Sequence, residues 1–167
     1  MKKKSVGDLL SRFHHMGIIA KDADKAAEFF ESIGVGPFKQ SLLVHYDREV
    51  HGKPIDDVKI KCHATTMGPI GFEVIESVAG NSVQKEWLET QGETINHLCF
   101  IVDDIDEAIP IMVEAGFKVI SSGKNEGGGG MAYFLHEKLN GVQIELDELP
   151  SHLEDDFYWG NKPWAKK

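Results

Sequence analysis

The chain contains one sequence pattern twice, at a constant spacing of 82 residues. The segment HMGIIAKDADKAAEFFESIGV begins at His15, and HLCFIVDDIDEAIPIMVEAGF begins at His97. The two segments align without a gap, and their matched pairs are His15/His97, Ile19/Ile101, Asp22/Asp104, Asp24/Asp106, Ala26/Ala108 and Gly34/Gly116. A repeat of this kind indicates two copies of one supersecondary unit that complete each other's core.

Each copy predicts a strand, a helix and then three further strands. Two aspartates follow the first strand, where they suit the N-terminus of a helix, and a glycine follows the amphipathic stretch, where it suits the C-terminus. The later strands are predicted in FKQSLLVHYD, VKIKCHATTM and IGFEVIESV of the first copy, and in KVISSG, GMAYFLHE and GVQIELDEL of the second. The predicted fold class is therefore α+β, built from two βαβββ modules.

This pattern divides the chain into five parts. They are an N-terminal extension (1–12), the first module (13–79), a linker with a short helix (80–94), the second module (95–148) and a C-terminal tail (149–167) rich in aromatic residues.

Composition limits the kind of partner. A chain of 167 residues fits one domain with a full hydrophobic core, and a net charge of −9 argues against nucleic acid and anionic membrane. The N-terminal residues lack the apolar stretch of a secretion signal, and no run reaches the length of a membrane helix. We therefore expect a cytoplasmic protein in which Cys62 and Cys99 are reduced.

Strand alternation places polar residues on the face of the sheet that lies away from the helices. In the first strand, His15 alternates with Met16 and Ile18, which form an apolar face suited to packing under a helix. The same reasoning applies to three other polar residues, Glu73, His97 and Glu145. Two imidazoles and two carboxylates that converge on one centre are typical ligands of a divalent metal.

Two points qualify this prediction. The plainer interpretation of the four residues is a set of buried ion pairs. His14 has the parity of Met16 and its repeat mate is Asn96, so we expect its side chain on the helix side, outside the metal's ligands.

The residues also carry a family resemblance. The chain resembles the vicinal oxygen chelate superfamily (glyoxalase I, methylmalonyl-CoA epimerase, extradiol dioxygenases and bleomycin resistance proteins) over roughly residues 13–147. The segments HLCFIVDDIDEAI, YFLHEKLNGVQIEL and WLETQGETINHLCF resemble methylmalonyl-CoA epimerases, whereas GPFKQ through GFEVIES resembles a wider glyoxalase-like group. The resemblance implies paired βαβββ modules in a half-open barrel around one divalent ion, with His15, Glu73, His97 and Glu145 as its ligands.

The implied chemistry is proton removal beside a carbonyl, with the ion stabilising the resulting enolate or enediolate. Glu145 is the first candidate for the base and Glu73 the second. Some epimerases of the family place a further carboxylate in the strand that here reads VKIKCH. This chain has none there, and His63 is the nearest titratable candidate for a second acid–base group.

Several functions remain open on this reasoning. The first is a methylmalonyl-CoA epimerase-like isomerase acting on an acyl-CoA. The second is a glyoxalase I-type lyase acting on a thiol adduct, because glutamate at position 73 equally resembles the ligands of glyoxalase I. An extradiol dioxygenase is less consistent with four ligands, and a non-enzymatic small-molecule binding protein less consistent with a complete set. Mn, Fe, Co, Ni and Zn all suit mixed nitrogen and oxygen ligands. The resemblance also implies a homodimer.

Overall fold

The structure is a computed structural model that describes residues 4–43, 45–125 and 128–149. Apart from Leu149, the predicted C-terminal tail lies outside the described residues. The helices are α1 (Val6–Leu9), α2 (Ala23–Ser32), α3 (Val83–Gln91) and α4 (Ile105–Glu114). The strands are β1 (Phe13–Ile19), β2 (Lys39–Leu43), β3 (Tyr46–Val50), β4 (Lys53–Pro54), β5 (Lys59–Met67), β6 (Ile70–Ala79), β7 (Ile95–Ile101), β8 (Lys118–Lys124), β9 (Gly130–Leu135) and β10 (Gln143–Glu148).

The strands form one curved sheet in the order β2-β5-β6-β1-β7-β10-β9-β8-β3-β4. Strands β1 and β7 pair antiparallel at its centre, and each pairs parallel with the last strand of its own module, β6 or β10. The two first strands are therefore flanked symmetrically. The predicted α+β fold with paired βαβββ modules in a half-open barrel is confirmed.

The repeat-related helices begin and end as the sequence predicts. The Asp22 side chain accepts from the backbone N–H of Lys25, and the Asp104 side chain accepts from that of Glu107. Gly34 and Gly116 follow the two helices with φ of 89° and 91°, a region that favours glycine. Local chemistry at both ends thus sets the length of each helix.

Helices α1, α2 and α4 cover one face of the sheet. Under α2 lies a buried cluster of Ala20, Ala23, Phe72 and Val74, against which Met16 and Ile18 pack. Under α4 lies the larger cluster of Leu9, Val102, Ile105, Ala108, Met112, Ala132, Phe134, Ile144 and Leu146. The predicted apolar face of each first strand therefore does pack under a helix.

One predicted strand is divided. The segment FKQSLLVHYD contributes β2 to its own module, whereas Tyr46–Val50 leaves it and pairs with β8 at the far edge of the second module. There, β3 and β4 form a hairpin that extends the sheet beyond β8. The reason is long-range: β8 leaves an edge of unpaired backbone groups, which the hairpin satisfies.

Two smaller apolar clusters lie on the concave face. One contains Ile19, Val58, Ile60, Cys62, Ala64 and Ile75, with Trp87 and Leu88 of α3 against it. The other contains Val50, Val83, Ile120, Met131 and Tyr133, and Ile55 packs against both. The linker helix and the hairpin are thus packed over the concavity. Within the described residues, no helix is both long enough and apolar enough to cross a bilayer.

Candidate metal centre

Sheet register brings the four predicted ligands together in two adjacent rows that cross the central strands. One row runs Glu73, Gly17, His97, Gln143, and the next runs Gly71, His15, Cys99, Glu145. Each row therefore carries one histidine and one glutamate, each from a different module. Because paired residues on neighbouring strands project to the same side, all four side chains point into the concavity.

The four side chains meet at their polar ends. The Nε2 atom of His15 lies 3.0 Å from Nε2 of His97, 3.1 Å from Oε2 of Glu73 and 3.4 Å from Oε2 of Glu145. The Nε2 atom of His97 lies 3.2 Å from Oε2 of Glu145 and 3.8 Å from Oε2 of Glu73. All four residues are buried, with between 0% and 7% of their surface exposed.

This geometry fits a divalent ion. Ligand atoms about 2.1 Å from a metal stand about 3.0 to 3.4 Å apart when they are neighbours in octahedral or tetrahedral coordination. Five of the distances between the ligand atoms are 3.0 to 3.8 Å, and the ligand atoms of His15, Glu73 and His97 all lie within 4.8 Å of one another. Glu145 joins this group of three through its distances to the two histidines. In addition, Oε2 of Glu145 is buried and lies 3.4 Å from Nε2 of His15 and 3.2 Å from Nε2 of His97. A cation at the centre would satisfy that oxygen.

Gly17 makes room for the ring of His97. A Cβ atom added at Gly17 would lie 2.0 Å from Cε1 and 2.4 Å from Nε2 of His97. Such distances exclude any side chain at this position. The imidazole therefore lies directly over the backbone of β1, and glycine is the residue that permits this packing.

Two β-bulges lie beside the ligand histidines, and they occur at repeat-related positions. In the pairing of β1 with β7, His14 is the extra residue on β1 and Asn96 is the extra residue on β7. A bulge breaks the alternation of side chains and re-aims them. His14 consequently lies with His15 and Cys99, and its predicted position on the helix side is wrong.

Each bulge residue holds one ligand ring. The Nδ1 atom of His97 lies 3.0 Å from Oδ1 of Asn96, and Nδ1 of His15 lies 2.8 Å from Nδ1 of His14. The Asn96 carbonyl accepts only from a protonated Nδ1, which leaves the Nε2 lone pair of His97 directed at the centre. His14 performs the same function for His15 when its own proton is on Nε2.

Without a bound ion, the cluster holds a proton. Burial works to lower the pKa of His15, but the carboxylates of Glu73 and Glu145 outweigh it and raise this pKa to about 10. Burial and the charge of His15 lower the pKa of His97. Burial opposes ionisation of Glu145, but the charges of the two histidines and hydrogen bonding with His15 and Tyr133 lower its pKa to about 2. A cation that enters the site displaces one proton from His15.

A second group of potential ligands shares His15. The ligand atoms of His14, His15 and Cys99 lie within 4.8 Å of one another. Burial and the nearby carboxylates raise the pKa of the Cys99 thiol well above its usual value, so the thiolate that would bind a metal is disfavoured. The centre with two carboxylates is the better cation site.

The wall of the concavity beside Glu145 carries polar groups that the repeat did not reveal. Tyr133 lies opposite Glu145 in the ladder and packs edge-on against His97, with ring centroids 5.3 Å apart. Arg48 of β3 is 4% exposed, and both Glu145 and Tyr133 act on its charge. Asp147 lies two residues after Glu145 on β10, so strand alternation places it on the same face and could have identified it. Its Oδ1 atom accepts a hydrogen bond from Nδ2 of Asn125 at 3.3 Å. Burial and the charge of Glu145 raise the pKa of Asp147 to about 7. Nothing local in the sequence indicates the position of Arg48.

His63 is not brought to this centre. It pairs with Val74, whose side chain belongs to the cluster under α2, so it lies on the helix face of the sheet. Its Nε2 atom lies 2.7 Å from Oδ1 of Asp24 at the start of α2. The predicted role of His63 as a second acid–base group therefore has no support in the geometry.

Comparisons with known proteins agree with the fold. A model of the glyoxalase/bleomycin resistance protein/dioxygenase superfamily matches residues 14–134. An ethylmalonyl-CoA/methylmalonyl-CoA epimerase of Cereibacter sphaeroides is 26% identical over 146 residues, which are 84% of this chain and 100% of that protein. An uncharacterised Bacillus subtilis protein, YqjC, is 22% identical over 141 residues, which are 83% of this chain and 93% of that protein.

Among solved structures, methylmalonyl-CoA epimerase from Mycobacterium tuberculosis superposes with a TM-score of 0.60 at 20% identity, covering 92% of this chain and 95% of that one. A Streptomyces coelicolor methylmalonyl-CoA epimerase variant in complex with 2-nitronate-propionyl-CoA has a TM-score of 0.57 at 21% identity, covering 85% and 96%. At these identities the structural matches establish a shared fold.

Proposed function

Because the chain belongs to the glyoxalase/bleomycin resistance protein/dioxygenase superfamily, we propose that it is a divalent-metal-dependent enzyme that removes a proton from carbon next to a carbonyl. The specific reaction we propose is that of a methylmalonyl-CoA epimerase-like isomerase, with an acyl-CoA as substrate. His15, Glu73, His97 and Glu145 would hold the ion, which would be Mn, Fe, Co, Ni or Zn.

The observation that carries this proposal is the approach of two carboxylates from different modules to one imidazole. The Oε2 atoms of Glu73 and Glu145 lie 3.1 Å and 3.4 Å from Nε2 of His15. When bound, the ion supplies Lewis acidity for the negative charge of an enolate. The protein's own contribution would be to present two carboxylates to a substrate carbon bound next to the ion.

Those two carboxylates provide the acid–base chemistry of an epimerase. Glu145 is our first candidate for the base that takes the proton, and Glu73 is the candidate that returns one from the other side. They are related by the approximate two-fold symmetry of the modules, so they flank the centre. Burial of both carboxylates excludes bulk water, which favours return of the proton over side reactions.

The choice of an acyl-CoA rests on the relatives. The Cereibacter sphaeroides protein, which this chain matches over its whole length, is named as an ethylmalonyl-CoA/methylmalonyl-CoA epimerase. That similarity supports the same substrate class here. If no acyl-CoA is a substrate, the metal-dependent proton removal would act on another carbonyl compound.

The test is exchange of the substrate's α-proton. Metal-reconstituted protein in D₂O is incubated with methylmalonyl-CoA, and the α-proton signal is followed by NMR. We expect loss of the signal that depends on both metal and protein. Glu145→Gln keeps the shape of the side chain but removes the base, so we expect exchange to fall by about 100-fold or more.

Two controls separate failure of the metal site from failure of the substrate. His97→Ala should abolish tight metal binding and exchange together while the domain stays folded by circular dichroism. Full metal content in wild-type protein with no exchange would contradict the acyl-CoA assignment. A full metal content in His97→Ala would contradict the ligand assignment itself.

A glyoxalase I-type lyase is a second candidate, because position 73 carries glutamate and both carboxylates reach the same imidazole. The same preparation can be offered the hemithioacetal of methylglyoxal and glutathione. Metal-dependent thioester formation without methylmalonyl-CoA exchange would favour this alternative.

A further inference from the structure

Arg48 is an unusual residue to find inside this concavity. It lies on β3, where Val50 pairs with Ser121 of β8 and belongs to the cluster with Tyr133. The hairpin is thereby fixed to the second module, and the Arg48 side chain is held inside with 4% of its surface exposed. Burial lowers the pKa of Arg48, but a guanidinium keeps its charge in folded proteins.

The charge of Arg48 has no carboxylate partner among the described residues. The Nη2 atom of Arg48 donates a hydrogen bond to Oε1 of Gln84 at 3.3 Å, and its Nε atom is buried with no partner in the described chain. Two other cations of the described residues are paired closely with acids. Arg12 lies 2.6 Å from Asp103, and Lys124 lies 2.7 Å from Asp106.

A buried guanidinium that no carboxylate contacts is costly, so its presence here indicates a partner that arrives from outside. Glu145 and Tyr133 are the groups whose charge acts on Arg48, which places it on the Glu145 side of the centre. Ser121, in the strand beside β3, also has a buried hydroxyl with no partner in the described residues. The wall therefore offers unused donors next to a base.

Arg48 is a positive charge that no carboxylate of the described residues contacts, so the partner that matches it is an anion. A guanidinium presents a planar fork of donors that matches a carboxylate in two-point contact.

We propose that Arg48 is the receptor for a carboxylate of the substrate, so that the site selects carbonyl compounds bearing a carboxylate close to the reacting carbon. This inference rests on the metal centre of the proposed function and deepens it by assigning substrate class to one residue. It does not require that the substrate be an acyl-CoA.

The test uses binding, which needs no turnover. The full chain is reconstituted with Co²⁺, and binding of malonate and of its uncharged analogue malonamide is measured by calorimetry. The variants are Arg48→Met, which keeps bulk and removes charge, and Arg48→Lys, which keeps charge and removes the fork. We expect Arg48→Met to weaken malonate by about 100-fold and malonamide by less than about threefold. Arg48→Lys should weaken malonate by about tenfold.

Cobalt content and circular dichroism verify that each variant is folded, and if Arg48→Met does not fold, Arg48→Lys decides. Unchanged malonate binding in a folded variant overturns the inference. An equal loss of affinity for malonate and malonamide also overturns it, and so does a wild-type protein that binds neither compound. The proposed function can fail separately. Arg48-dependent malonate binding without methylmalonyl-CoA exchange would retain the carboxylate receptor and reject the acyl-CoA. If Arg48→Lys changes neither methylmalonyl-CoA exchange nor malonate binding, the acyl-CoA assignment is retained and the carboxylate receptor is rejected.

Discussion

The Nε2 atom of His15 lies 3.0 Å from the Nε2 atom of His97, its counterpart 82 residues later in the chain. Both atoms are buried and both rings present the same nitrogen to the centre. Two lone pairs so close are unfavourable unless a proton or a cation lies between them. The repeat therefore brings two equivalent ring nitrogens to one point, where we propose that a cation binds.

Gly17→Ala is expected to disrupt the centre without removing a ligand. The new methyl group would overlap the ring of His97, so the ring must move. We expect a loss of about 100-fold in metal affinity, and about 1 to 3 kcal/mol of stability from overpacking. Gly7→Ala is the matched control, because a Cβ there meets only Ser5 Oγ at 3.7 Å. Equal metal affinity in the two variants would show that the His97 ring is not confined by Gly17.

The bulge residues are expected to control metal affinity from outside the ligand set. His14→Leu removes the acceptor for Nδ1 of His15, and Asn96→Leu removes the acceptor for Nδ1 of His97. Each should weaken metal binding by about 10- to 100-fold, as loss of such supporting groups generally does.

His14→Asn copies the second module into the first and should restore much of the affinity. Chelator competition measures the metal affinity of all three variants. His51→Asn is the control, because the His51 side chain is exposed and contacts Glu86. Equal losses in His14→Asn and His14→Leu would argue that His14 acts by packing alone.

Metal affinity is expected to rise with pH. The pKa of His15 is raised from 6.5 to about 10 in the metal-free protein, so below that value the ion must displace one proton. The apparent association constant should therefore rise about tenfold per pH unit between pH 7 and pH 9. Titration against a chromophoric chelator, corrected for protonation of the chelator, measures this slope.

The same proton affects the metal-free fold. Because the folded pKa of His15 is raised, its contribution to stability is complete below pH 6.5 and is lost as pH rises towards 10. Melting temperatures of metal-free protein should fall over that range, and those of metal-loaded protein should fall less. A pH-independent affinity would mean that His15 is already neutral in the metal-free protein.

His63→Gln is expected to leave metal binding and proton exchange unchanged. The His63 ring contacts Asp24 on the helix face, where Asp24 is half exposed and also paired with Lys61. Loss of such a contact should cost less than about 1 kcal/mol of unfolding free energy. A large loss of exchange with intact metal content would restore His63 as a candidate acid–base residue. Glu145→Gln in the same assay gives the expected size of a true loss.

Much of the centre was predictable because it depends on local periodicity. Alternation along single strands identifies His15, Glu73, His97 and Glu145, and the repeat pairs them without any knowledge of the sheet. The helix caps at Asp22 and Asp104 are equally local, because a cap needs only a side-chain oxygen next to the first turn. The structure brings all four side chains to one point; whether they hold a metal remains a prediction.

Other features depend on pairing between distant strands. The alternation rule fails at His14, since a bulge in the β1–β7 pairing inserts one unmatched residue and turns its side chain towards His15. No local signal sends Tyr46–Val50 to the edge of the other module, because that choice depends on which edge is free. The positions of Arg48 and His63 also depend on distant pairing. Arg48 is buried because β3 pairs with a strand of the other module, and His63 faces away from the centre because it pairs with Val74.

The repeated unit, the helix ends and the four polar residues on one face can therefore be predicted from the chain alone, because each is encoded by spacing along it. How the candidate ligand rings are held, which charge enters the wall beside Glu145 and which histidine is excluded depend on the pairing of strands in three dimensions. Those properties belong to strand register and edge pairing, where residues far apart in sequence compete for the same backbone partners.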